Sequence, residues 1–218
     1  MKRFEEIMQD DHLSDALEHA QSLAANLPKA LDKNKLYKAA IDHFAQLDLN
    51  DSDVPEGSYG YVPVDLDDFL NAILELENIL SADVDYKHSE LRHRPCSFLE
   101  VGCGTGRNVH LLGRTDRFVF DCIHGFDLSE RMIETGRQRY GLSRDIFVQD
   151  CLDFDYGGYD VVFFYCPISD NEIEKRFEER LVDTLKSGAF IVAFGDESLD
   201  ENRKLIPKGD SRRIYKKI

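Results

Sequence analysis

The chain has 218 residues, 42% of them hydrophobic, with 14 Gly and 6 Pro, which excludes a disordered or fibrous protein and fits one core of ordinary size with a smaller appendage. Its formal charge of −15 is concentrated early, with 9 basic and 20 acidic residues in positions 1–95, so a nucleic-acid partner is disfavoured against a small molecule or a basic protein. The N-terminal segment scatters charges through its apolar positions and no run approaches the ~20 apolar residues of a membrane span, so a cytoplasmic location without membrane contact is expected.

Residues 3–26 carry Phe4, Ile7, Met8, Leu13, Leu17, Ala20, Leu23 and Ala24 at helical spacing, ended by Pro28. A second helical pattern, with Leu36, Ala40, Phe44 and Leu47 on one side, closes at Asn50-Asp51-Ser52. The stretch from Asp53 to Pro63 holds two prolines, two glycines and the pair Tyr59 and Tyr61 without periodicity, and reads as a loop. A third helix starts at Asp65, its face drawn from Leu66, Leu70, Ile73, Leu74, Glu77 and Leu80, with Asp65, Asp67 and Asp68 at its positive end.

After the charged segment from Asp85 to Pro95 the pattern changes to short apolar runs alternating with helices. Strands are expected at Cys96–Val101, Phe118–Phe126, Asp145–Gln149, Asp160–Tyr165 and Ala189–Phe194, with helices at Arg107–Gly113, Ser129–Tyr140 and Asn171–Lys186 between them. Such alternation predicts a doubly wound α/β fold: a mostly parallel sheet covered on both faces, here with an N-terminal α-helical extension. The division expected is a helical cap over residues 1–90 and a catalytic domain over 91–218. The five cysteines lack paired spacing, so reduced buried thiols and no metal are expected.

The chemistry concentrates where Phe98-Leu-Glu-Val-Gly-Cys-Gly-Thr-Gly-Arg-Asn-Val109 runs from strand through a glycine-rich turn into helix. The glycines at 102, 104 and 106 permit a tight turn and close backbone approach at a strand's carboxyl end, where open α/β sheets bind ligands. The spacing is GxGxG; a dinucleotide fingerprint would need Gly where Arg107 stands, and a P-loop would need a Gly-Lys-Ser/Thr ending. A purely structural turn remains an alternative on this motif alone. Asp127 follows about one βα unit later, at the end of the second strand, where a carboxylate accepts from both ribose hydroxyls.

Taken in order, Glu-Val-Gly-Cys-Gly-Thr-Gly, Gly-Phe-Asp-Leu-Ser, Gln-Asp-Cys and Tyr-Asp-Val-Val-Phe resemble the class I S-adenosyl-L-methionine (SAM)-dependent methyltransferases, with a Rossmann-like sheet, over residues 96–218. The resemblance implies that the backbone around Gly102, Cys103 and Gly104 meets the methionine part of SAM with Glu100 fixing the loop. It gives Asp127 the ribose, Leu128 and Met132 the walls of the adenine site, and Asp150 and the Cys151 amide the adenine edge. Tyr165, a candidate catalytic residue, and Cys166 face the sulfonium and acceptor, with Tyr59 and Tyr61 as further substrate residues. Tyr165-Cys-Pro-Ile168 departs from the Asn/Asp-Pro-Pro-aromatic motif of adenine amino-group methylation. The 24 residues after Phe194 are short for the family's closing hairpin, so a shortened C-terminal edge is expected, with one edge strand and a reduced or irregular partner.

The expected function is methyl transfer to a small-molecule acceptor. A protein acceptor, a SAM-binding module without transfer activity and a nicotinamide-dependent oxidoreductase are the alternatives. The histidines are dispersed and none is assigned as a base.

Overall fold

A computed structural model describes residues 57, 62–89, 92–114, 119–194 and 198–218. The helices expected over residues 3–26 and 29–47, and Tyr59 and Tyr61, lie outside the described residues.

The first helix, α1 (Leu66–Ala82), begins where Asp65 accepts the amides of Asp67 and Asp68 at 2.8 and 3.1 Å, so an Asp cap and an acidic first turn meet the positive helix end. Its buried face is Leu66, Phe69, Ala72, Ile73, Leu76 and Leu80, rotated from the expected one: Phe69 and Leu76 are in the core, whereas Leu70, Leu74 and Glu77 lie on its flank. This face packs on Phe98, Phe163, Phe190, Val192 and Phe194, so α1 belongs to the same hydrophobic layer as the sheet.

A small antiparallel pair, β1 (Lys87–Ser89) and β2 (Arg92–His93), leads into β3 (Cys96–Val101). Then follow α2 (Arg107–Arg114), β4 (Phe120–Asp127), α3 (Glu130–Tyr140), β5 (Ile146–Val148), β6 (Val161–Tyr165), α4 (Asn171–Thr184) and β7 (Phe190–Phe194). The expected elements are present, with ends shifted by one or two residues. The chain closes with β8 (Leu205–Lys208) and β9 (Ile214–Lys217). The edge is short, as expected, with β8 and β9 of 4 residues each; the partner strand is reduced and not irregular, since the two pair in register from Leu205 with Lys217 to Lys208 with Ile214.

Seven strands form one sheet in the order β5-β4-β3-β6-β7-β9-β8, parallel except at β9, which pairs antiparallel with β7 and β8. Helices α1 and α2 cover one face, α4 and the turn at Tyr156 cover the other, and α2 and α3 meet around Cys103, Val109, Ile133 and Tyr140.

The amino end of the sheet is fastened by Asp160, whose side chain is 8% exposed. It accepts from Tyr86 Oη at 3.1 Å, Arg94 at 3.2 Å, the Ser97 amide at 3.0 Å and Lys186 at 2.9 Å. Burial raises the carboxyl pKa, but the Ser97 and Lys186 partners outweigh it and hold it at about 2. Lys216 joins β9 to Asp83 and Asp85 beyond α1 at 2.7 and 2.8 Å, and Lys217 donates to the last carbonyls of α4, Val182 and Leu185.

Candidate functional site

The strand order reverses between β3 and β6, which opens a crevice at their carboxyl ends, the place where α/β sheets take ligands. The glycine loop fills one side of it. Gly102, Gly104 and Gly106 have φ of +69°, +54° and +75°, left-handed conformations that a side chain would strain. The loop is pinned to β4 twice: the Cys103 amide donates to Phe126 O at 2.9 Å, and the Gly104 amide to Asp127 Oδ2 at 2.9 Å. On the other side, a Cβ on Gly102 would lie 2.8 Å from Pro167 Cβ, so only glycine lets the loop approach the segment after β6.

Asp127 is a junction. Its Oδ1 accepts the Ser129 amide at 2.8 Å, its carbonyl accepts the Gln149 amide at 3.1 Å, and Ser129 caps α3 by accepting the Met132 amide at 3.3 Å. Burial raises its pKa, opposed by the amides of Ser129, Gly104 and Leu128. Beside it Leu128 is 48% exposed, an apolar side chain next to a carboxylate. Met132 is buried at the first turn of α3. Asp150 accepts the Leu152 amide at 2.8 Å through Oδ1, and the Cys151 carbonyl accepts Tyr156 Oη at 2.8 Å. The Cys103 side chain enters the core between α2 and α3, which leaves its backbone for the site.

Glu100, at the end of β3, is 4% exposed. Its Oε1 accepts Asn108 Nδ2 at 2.6 Å, while Oε2 is buried without a donor in bonding geometry. Burial pushes its pKa to about 8, against the pull of the Asn108 amide and the Arg107 charge. Arg107 and Asn108 adjoin the glycine loop in a role that the sequence pattern does not reveal. The Arg107 guanidinium is buried and donates to Asn108 Oδ1 at 3.1 Å and to the Val64 carbonyl at 2.6 Å. A buried chain of hydrogen bonds therefore runs from the entrance of α1 to Glu100.

At the carboxyl end of β6, Tyr165 is half-buried with its ring edge against Phe194, centroids 6.0 Å apart. Cys166 follows with φ +38°, and its thiol donates to Phe194 O at 3.2 Å, so it faces β7. Beyond it the Ser169 amide donates to Gly57 O at 2.9 Å, which brings Gly57 to the carboxyl end of β6.

The sequence profile described as a methyltransferase domain matches residues 98–188, the span from β3 to the start of β7 that carries the glycine loop, Asp127 and Tyr165. Residues 98–188 carry a methyltransferase domain. Over 92 residues the chain is 35% identical to carboxy-S-adenosyl-L-methionine synthase of Campylobacter fetus subsp. fetus (strain 82-40), a match covering 38% of this chain and 37% of that protein. The chain thus spans little more than a third of the length of this curated relative. Among solved structures, it is similar to an RNA methyltransferase from Salinibacter ruber in complex with S-adenosyl-L-homocysteine (17% identity, 71% of this chain and 91% of that one, TM-score 0.46). It is also similar to the plantazolicin methyltransferase BpumL (18% identity, 87% and 60%, TM-score 0.45).

Within the methyltransferase domain the histidines serve the core. His110 packs on the Tyr140 ring, centroids 4.9 Å apart, and burial pulls its pKa down to about 4. His124, on β4, has its Nδ1 2.8 Å from Tyr159 Oη. All five cysteines are free thiols; Cys96 and Cys103 are buried, whereas Cys122, Cys151 and Cys166 are half-buried rather than fully enclosed. Among the described residues no His, Cys, Asp and Glu cluster could hold a metal ion, and no helix is long and apolar enough to cross a membrane.

Proposed function

We propose that the protein transfers a methyl group from SAM to a small-molecule acceptor. The observation that carries this reading is the junction at Asp127, where one carboxylate fastens the glycine loop and α3 and stands beside the exposed Leu128. These residues fit the cofactor: a carboxylate with lone pairs left for ribose hydroxyls, an apolar wall for a base, and at Glu100 a buried oxygen without a donor. SAM supplies a methyl carbon already activated by its sulfonium, which the acceptor attacks in line while the carbon–sulfur bond breaks to leave S-adenosyl-L-homocysteine.

The chain's own work is then alignment and exclusion of water. Glu100 and the backbone of Gly102, Cys103 and Gly104 hold the methionine end. Asp127 holds the ribose, Leu128 and Met132 flank the base, and Asp150 and the Cys151 amide meet its edge. Tyr165 orients the acceptor, with the backbone of Cys166 and with Tyr59 and Tyr61. A double Tyr59→Ala, Tyr61→Ala variant that keeps the acceptor KM unchanged removes those two from the site. The division proposed is a helical cap over residues 1–90 and a catalytic domain over 91–218, with α1 packed on the sheet. A reducing, cytoplasmic compartment accords with the free thiols.

Calorimetric titration with S-adenosyl-L-homocysteine and separately with NAD tests the cofactor. The first is expected to bind and the second not; the reverse result would return the chain to the oxidoreductases.

A further inference from the structure

We propose that Arg213 and Tyr165, on either side of Phe194, form a subsite for a carboxylate or phosphate group of the methyl acceptor, an inference that rests on the methyl-transfer reading above. Phe194 ends β7 in register with Tyr165 at the end of β6, so both rings stand at the ligand-binding end of the sheet. Arg213 joins them from the start of β9: its carbonyl accepts the Ala193 amide at 2.8 Å, and its guanidinium carbon lies 4.3 Å from the Phe194 ring centroid.

A guanidinium over an aromatic ring is held by its π-face and keeps its N–H fork for a planar anion. That fork has no hydrogen-bonded or ion-paired acceptor among the described residues, and neither does the Tyr165 hydroxyl. Glu75 is the acid whose charge acts on Arg213, but its Oε1 is taken by the amides of Asp210 and Ser211 at 2.8 and 3.2 Å.

The surrounding charge points the same way. In a chain of formal charge −15, the segment Arg203–Lys217 holds seven basic residues and one acid, Asp210. Lys204, Lys216 and Lys217 are committed to Asp183, to Asp83 and Asp85, and to the end of α4. Of the other four, Arg203, Lys208 and Arg212 have no acid partner among the described residues and Arg213 has only the charge of Glu75; Arg212 and Arg213 sit on the turn between β8 and β9, with Lys208 at the end of β8. The two non-glycine residues of the described chain with left-handed backbone, Cys166 at +38° and Arg212 at +56°, flank Tyr165 and Arg213. Such strained positions concentrate at ligand sites.

The test titrates S-adenosyl-L-homocysteine-saturated protein with benzoate, benzamide and inorganic phosphate, in wild type, Arg213→Gln, Arg213→Lys and Tyr165→Phe. Benzoate is expected to bind about tenfold or more tightly than its uncharged amide. Arg213→Gln is expected to abolish that preference, Arg213→Lys to retain part of it, and Tyr165→Phe to reduce it while keeping the ring on Phe194. Phosphate competing with benzoate marks a subsite open to both anions, and failure to compete marks one shaped for carboxylate. Equal affinity for benzoate and benzamide, no binding of either, or a preference that survives in Arg213→Gln overturns the proposal. If wild type binds S-adenosyl-L-homocysteine but shows no benzoate preference, the subsite alone fails. If it does not bind S-adenosyl-L-homocysteine, the methyl-transfer reading fails with it.

Discussion

Asp127 Oδ2 accepts the Gly104 amide at 2.9 Å, so the residue proposed to hold the ribose also fastens the loop proposed to hold the methionine end. Asp127→Ala removes both at once and leaves the Gly104 and Ser129 amides without their acceptor. The expected loss in S-adenosyl-L-homocysteine affinity is ~1–3 kcal/mol, roughly five- to 150-fold. Asp127→Asn keeps an acceptor for one amide and is expected to fall between the two. Wild-type affinity in the alanine variant, measured by calorimetry, would remove Asp127 from the cofactor site.

Glu100 carries a pH signature. Its pKa rises from 4.5 to about 8 on folding, so between these values the folded chain holds a proton that the unfolded chain has released, and stability falls as pH rises through that window. Glutamine at this position preserves an acceptor for Asn108 and cannot titrate. Thermal midpoints of wild type and Glu100→Gln should therefore diverge from pH 5 to pH 8, wild type losing ground. A constant gap across the range would show that Glu100 is ionised throughout.

The strands and the glycine turn were legible because they are local: apolar runs, turn residues and a fixed spacing from Gly102 to Asp127. What escaped depends on partners distant in sequence. Arg107 reads as the residue that breaks a dinucleotide fingerprint, and its role as a tether appears only when Val64, 43 positions earlier, folds against it. The regular pairing of the shortened closing edge is hidden because Leu205–Lys208 and Ile214–Lys217 are four-residue strands whose apolar pattern is interrupted by lysines and by Pro207. A proline is tolerated there because β8 is an edge strand. The face of α1 was misplaced toward Glu77 because charged residues occupy its flank and period alone cannot choose between neighbouring stripes.

Gly136 and Gly113 make opposite predictions. In α3, a Cβ on Gly136 would overlap the Thr105 carbonyl oxygen and crowd Ile146, so Gly136→Ala must push α3 away from the glycine loop. It is expected to lower both stability and S-adenosyl-L-homocysteine affinity. In α2, a Cβ on Gly113 meets nothing within 4 Å, and Gly113→Ala should stabilise by up to about 0.5–1 kcal/mol through helix propensity, with affinity unchanged. Denaturant midpoints and calorimetry on the two variants check both, and equal behaviour would mean that the α3 contact is not needed.

Asp160 separates stability from function. It joins β3, β6, Tyr86 and Lys186 at the end of the sheet away from the ligand crevice, and its pKa is lowered to about 2. Its contribution is complete above the unfolded-state value near 3.8 and is lost as pH falls toward 2. Asp160→Ala leaves the Ser97 amide and Tyr86 Oη without their acceptor and returns the half-exposed Arg94 and Lys186 to water, and should cost about 1–3 kcal/mol. The fraction that remains folded should bind S-adenosyl-L-homocysteine as wild type does; a selective loss of affinity would link this end of the sheet to the site.

Arg107→Gly completes the GxGxxG spacing on paper, and it tests whether a motif or its surroundings decide the cofactor. The guanidinium removed is buried and bonded to Asn108 Oδ1 and Val64 O. Its loss frees Asn108 to leave Glu100 and releases the entrance of α1, while adding no feature that suits a pyrophosphate beyond one glycine. The variant is expected to bind S-adenosyl-L-homocysteine about tenfold or more weakly and to gain no NAD affinity. Arg107→Lys, which keeps the charge but has no planar fork to serve both acceptors, should lie closer to the glycine variant than to wild type. Backbone amides near Val64 should exchange faster in both variants, measured by hydrogen exchange. If NAD binds to Arg107→Gly, the glycine spacing outweighs its context; if exchange near Val64 is unchanged, the tether does not hold the entrance of α1.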